Sequence, residues 1–140
     1  MEIVFGLSHV FERGSNPAEN ATTLRLLLES LIAINRDYLK RHPATPALYR
    51  SGVRYRRTVV WDSIPNLYRR QYGDCKSLTC ALVAEYRHRG IPCRPVFRFM
   101  SRDDGSNLFH ILAELDSGKF EDPSKKLGML GSEWRHFQGS

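Results

Sequence analysis

The spacing of apolar residues changes once along this chain, near Gly90, from every third or fourth position to every second, and that change limits which elements can lie on either side of it. Before it, Leu24, Leu27, Leu28, Leu31, Ile34 and Tyr38 recur at helical spacing and give one apolar face. Asn16, Pro17 and Glu19 supply a helix start: a side-chain cap, a residue tolerated in the first turn, and a carboxylate at the positive end of the dipole. The helix is expected to end before Pro43. A second helix is expected from near Asp74, with Leu78, Ala81, Leu82 and Tyr86 inward, stopping at Gly90 ahead of Pro92. Between Pro43 and Gly73 the pattern is broken by Pro46, Gly52 and Pro65, and predicts loops, a short strand and one helical turn.

After the change, Pro95, Phe97 and Phe99 alternate with Arg94, Val96, Arg98 and Met100, as in a strand. Asp103 to Asn107 reads as a turn, Leu108 to Leu115 as a second strand, Asp116 to Lys119 as a hairpin connection containing Ser-Gly, and Phe120 to Asp122 as the start of a third strand. Ile3, Phe5 and Leu7 hint at one more. Helices followed by an antiparallel meander make an α+β fold, with N-terminal helices packed on the sheet. A chain of 140 residues, 41% hydrophobic and 26% charged, has material for one core, so a single domain over residues 1–140 is expected.

Several function classes are disfavoured by composition. No apolar run is long enough to span a bilayer, and the first residues lack the basic start and cleavage site of an export signal, which predicts an intracellular protein with no membrane partner. Three cysteines, Cys75, Cys80 and Cys93, are an odd number and read as free thiols. Their spacing does not match a structural zinc site, and neither metal nor cofactor is expected. The chain carries a net charge of +6, and its basic residues are spread through Arg50 to Arg102 without forming a block, interleaved with Tyr49, Tyr55, Tyr68 and Tyr72; this favours a solvated basic face over a nucleic-acid site.

Cys75 is the residue with chemical promise. At the first turn of a helix, unpaired backbone N–H groups and the macrodipole favour thiolate over thiol; Asp74 can cap the helix, and Gly73 lets the chain turn sharply before it. The bland alternative is a small buried hydrophobe. A thiol nucleophile needs a base, and the base an orienting group. His110 and Asp122 lie on the two strands joined by the Asp116 to Lys119 turn, on opposite sides of Asp116, so a hairpin brings them near each other. His110 could otherwise be a satisfied core histidine. His9, His42, His88 and His136 lie in polar or basic contexts, and His88 is too far along the helix to meet Cys75.

The run Tyr72-Gly73-Asp74-Cys75-Lys76-Ser77-Leu78, the helix end Arg89-Gly90-Ile91-Pro92-Cys93-Arg94, the strand Phe109-His110-Ile111-Leu112-Ala113-Glu114 and the stretch from Asp116 to Ser124 together resemble the transglutaminase-like superfamily of papain-like Cys-His-Asp enzymes. The likeness runs from Trp61 to about Met129. It implies Cys75 as nucleophile, His110 as general base and Asp122 as the residue orienting it. Lys76 and Ser77 stand where many relatives carry acidic residues, and Leu112 where many carry tryptophan, which bears on substrate choice. Leu48-Tyr49, the segment from Ser51 to Tyr55 and Leu127-Gly128-Met129 resemble compact versions from bacteriophage and prophage genomes. The implied activity is acyl transfer on peptide or amide bonds, as a cysteine protease or amidase or a cross-linking transglutaminase, with a protein or peptide substrate. Phage structural proteins are further implied partners, in the host cytoplasm or the virion. The oxyanion hole would take the backbone N–H of Cys75 and a second donor, for which Asn66, Gln71 and Trp61 are candidates, each better explained as structural. A silent virion or assembly component keeping the fold is the competing reading, and a basic nucleic-acid-binding module a third; the presence of all three residues argues against silence.

Overall fold

The computed structural model describes residues 2–3, 17–101 and 107–129. The 25-residue helix α1 (Pro17–Arg41) comes first among the helices and packs along a shorter one, α3 (Cys75–His88). Between them run the single-turn 3-10 helix at Leu48–Arg50, strands β2 (Arg54–Tyr55) and β3 (Trp61–Asp62), helix α2 (Ile64–Arg70) and strand β4 (Tyr72–Gly73). After α3 come β5 (Cys93–Ser101), β6 (Asn107–Leu115), β7 (Phe120–Glu121) and the one-turn helix α4 (Pro123–Lys126). A two-residue strand β1 (Glu2–Ile3) pairs antiparallel with β3. The architecture is α+β: β5, β6 and β7 form an antiparallel meander in that order, against which α3 lies.

The long elements follow the apolar spacing. On α1, Leu24, Leu28, Leu31, Ile32, Asn35 and Leu39 are buried, whereas Ile34 and Tyr38 flank the face and are half-buried. Asn35 is the polar exception; its Oδ1 accepts from the Ile64 N–H at 2.8 Å, tying α1 to the start of α2. Helix α3 is buried all round from Ser77 to Glu85, because α1, the sheet and α4 enclose it. It ends at His88 with Arg89 as its C-cap, and Gly90 takes a positive φ of 77°. Arg87 holds three parts together: its guanidinium meets Glu29 of α1 in a fork at 2.7 and 3.0 Å, while its Nε donates to the Cys93 carbonyl at 2.8 Å.

Residues 43 to 73 hold more structure than their broken pattern predicts. In place of one helical turn there are a 3-10 turn and the seven-residue α2, and in place of one short strand there are three of two residues each. Of the apolar stretch Val59 to Trp61, only the tryptophan is buried; Val59 is 82% exposed. The hairpin register also differs. Ala113 faces Glu121 and Glu114 faces Phe120, so the turn is centred on Ser117 rather than Asp116. Gly118 in that turn has φ 86°. The Asn16 cap, the continuation of β1 through Phe5 and Leu7, His9, His136 and the turn after Asp103 lie outside the described residues.

Candidate active site

The nucleophile candidate is placed by what precedes and follows it. Asp74 caps α3, its Oδ1 accepting from the Lys76 N–H at 3.2 Å, so Cys75 occupies the first helical position. Gly73 is needed for a different reason from a sharp turn. Its φ is not in the left-handed region, but a Cβ there would stand 2.6 Å from Leu67 Cδ1 and 3.3 Å from Ser77 Cβ. Glycine lets α2 and the first turn of α3 close on each other. Farther along α3, the Thr79 hydroxyl donates to the Ile111 carbonyl at 3.1 Å and fixes the helix against β6.

That docking sets the sulfur of Cys75 against the backbone N–H of Ile111, the residue after His110. His110 is 3% exposed, and its Nε2 lies 2.7 Å from Oδ2 of Asp122. A carboxylate accepts, so Nε2 carries the proton and Nδ1 is the basic nitrogen of the neutral ring. Asp122 uses both oxygens: Oδ1 accepts from the Lys125 N–H at 3.3 Å, capping α4, while Pro123 fills the first helical position where no N–H is required. In the β6–β7 register Asp122 stands beyond the strand end, so its side chain reaches back along β6 to meet His110. Cys75 thus lies against the residue that follows His110, and His110 is bonded to Asp122, where α3, β6 and the start of α4 meet.

The electrostatics of Cys75 run against its helix position. Crowding around the sulfur, reinforced by the Asp74 carboxylate and more weakly by Asp122, pushes the thiol up to about 12; Lys76 and the Ile111 N–H pull the other way. Cys75 still keeps part of its surface in solvent, whereas Cys80 and Cys93 are buried. The Lys76 ammonium bonds the Asp74 carboxylate and donates to the Thr58 carbonyl at 3.1 Å, with the Trp61 ring 5.8 Å away.

Of the neighbouring candidates, Gln71 is committed elsewhere. Gln71 ends α2 in the left-handed conformation, φ 68°, and its Nε2 donates to the Ser51 and Tyr68 carbonyls at 3.1 and 2.7 Å. Trp61 and Asn66 are buried. His42 stacks on Tyr38, and both His42 and His88 are exposed, away from Cys75. No cluster of potential metal ligands occurs among the described residues.

Two contributors escape sequence reasoning. Strand β2 runs parallel to β4, the N–H groups of Arg54 and of Arg56 just past its end donating to the Gln71 and Gly73 carbonyls at 3.1 and 2.8 Å; on its other edge the Tyr55 N–H donates to the Leu127 carbonyl at 2.9 Å. It therefore splints the approach to Cys75 to the turn that follows Asp122. Glu121 is the second. It is 8% exposed, and its carboxylate accepts from the Tyr49 and Tyr86 hydroxyls at 2.6 and 2.5 Å. Tyr49 and Glu121 are 72 positions apart in the sequence, beyond what any local pattern signals.

A thiol at a helix start, an imidazole on a strand and a carboxylate at the cap of a second helix follow one another along the chain in an α+β fold. Residues 12–136 match the family model of the transglutaminase-like superfamily, and the chain belongs to that superfamily. No curated protein and no solved structure matches it. No helix among the described residues is long and apolar enough to cross a membrane.

Proposed function

We propose that this chain is a thiol enzyme that transfers acyl groups from peptide or amide bonds, with Cys75 as nucleophile, His110 as general base and Asp122 orienting the imidazole. The observation that carries the reading is the 2.7 Å contact between His110 Nε2 and Asp122, because it leaves the imidazole in the tautomer whose Nδ1 can accept a proton. As the sulfur of Cys75 bonds to the substrate carbonyl carbon, Nδ1 takes the thiol proton. The imidazolium then returns that proton to the departing amine as the C–N bond breaks, leaving an acyl-thioester. Water gives hydrolysis, as in a protease or amidase; an amine gives cross-linking. The backbone N–H of Cys75 is the proposed oxyanion donor. Burial and the Asp74 carboxylate hold the thiol above its ordinary value, so proton transfer to His110 is the step that activates the sulfur.

That same elevated thiol favours the second reading, a silent assembly or virion component retaining the fold. Alkylation with iodoacetamide, mapped by mass spectrometry, separates the two. For an enzyme, Cys75 should label faster than Cys80 and Cys93, and His110→Ala should slow it by about tenfold or more. Peptide amides should leave an acyl adduct on Cys75. Labelling of Cys75 that is no faster than that of the buried cysteines, with no adduct, favours the silent component.

A further inference from the structure

Strand β7 is two residues long and makes two pairs with β6, a ladder too short to fix a neighbouring side chain by itself. What holds it is the Glu121 carboxylate. Oε2 accepts from Tyr49 of the 3-10 turn at 2.6 Å, Oε1 accepts from Tyr86 of α3 at 2.5 Å, and Lys126 Nζ of α4 lies 3.4 Å from Oε2. One buried side chain thereby ties β7 to three separate elements. Burial alone would raise Glu121, but the two phenol hydroxyls and the ammonium outweigh it and hold the carboxyl below its ordinary value. Charge-assisted bonds to an ionised carboxylate are the stronger kind.

Successive side chains of an extended segment leave on opposite sides. Asp122, the next residue, is extended at φ −114° and ψ 97°, so a clamp on Glu121 sets the starting point and direction of the carboxylate that meets His110. We infer that Glu121, gripped by Tyr49 and Tyr86, is a positioning residue for Asp122. The inference rests on the role proposed above for Asp122. Were Glu121 only an anchor for stability, loosening it would lower the melting temperature and leave the His110–Asp122 bond unaltered.

The test compares the wild-type protein with Tyr49→Phe, Tyr86→Phe and the double variant, which remove one hydroxyl each and little volume. Two readouts are taken: solvent exchange of the His110 Nε2–H proton by NMR, and the pH profile of Cys75 alkylation. In a folded double variant the Nε2–H should exchange at least about tenfold faster. Alkylation of Cys75 near neutral pH should fall by about fivefold or more, since small displacements of a catalytic set cost rate steeply. Single variants should lie between. An unchanged Nε2–H signal in a folded double variant overturns the inference; if the double variant does not fold, Tyr86→Phe alone carries the same comparison. Should wild-type Cys75 label no faster than Cys93, acyl transfer fails while the His110 signal still decides whether Glu121 positions Asp122.

Discussion

Cys75 lies between two charges supplied by its own neighbours. The Asp74 carboxylate disfavours the thiolate, the Lys76 ammonium favours it, and the two are bonded to each other. Asparagine caps a helix about as well as aspartate, so Asp74→Asn keeps the start of α3 while removing the negative charge. It should raise the rate of Cys75 alkylation near neutral pH by about threefold or more, and Lys76→Met should lower it. A rate that stays level or falls in Asp74→Asn would remove this electrostatic account. Cys75, His110 and Asp122 stand out as candidates in the sequence because each sits in a short run with its own local reason: a capped helix start, a strand, and an aspartate followed by proline. The state of the thiol was not readable. Helix position argued for a thiolate, whereas packing by β6 and the charge of Asp74 push the other way, and the first of these depends on tertiary contact.

At the scale of elements, α1, α3 and the two nine-residue strands of the meander could be drawn from periodicity, since each is long enough for its spacing to repeat; the two-residue β7 was legible only through the Ser-Gly turn before it. The stretch from Pro43 to Gly73 could not, because two-residue strands have no period and their partners lie far away in sequence. β2 pairs with β4 on one edge and meets Leu127 on the other. The role of Gly73 shows the same gap: sequence alone offers a flexible turn, and the structure gives a close contact with Leu67. Gly73→Ala should therefore destabilise the fold through overpacking, by about 1–3 kcal/mol in urea unfolding. A change below about half a kcal/mol would mean that α2 and α3 can separate there without loss.

For the molecule as a whole, acid is the condition that should separate its parts. Glu29 is held below its ordinary 4.5 by the hydrogen bonds from Arg87, against the opposing effect of burial. For Glu121, burial is the largest influence and raises it, but Tyr49, Tyr86 and Lys126 together bring it below the same value. A depressed carboxyl contributes stability that is complete above 4.5 and is lost as pH falls through its lowered value in the folded state. Asp74 and Glu85, both raised by burial, work in the opposite sense, and their contribution weakens as pH rises through their folded values. The melting temperature should fall on acidification below 4.5, and Glu121→Gln should make that fall shallower. Parallel acid limbs in the two proteins would assign the transition to other carboxylates. Net charge and composition gave no access to this balance, because it depends on which carboxyls the fold buries and which donors it brings to them.

Asp122 serves two masters. One oxygen closes the first turn of α4 and the other holds His110, so selection for a stable fold alone would retain the aspartate in a descendant whose chemistry had lapsed. Such a lineage would be free to lose Cys75 while keeping Asp122-Pro123. Within this architecture the aspartate is therefore a marker of folding as much as of the proposed chemistry, and the cysteine is the residue on which that proposal turns.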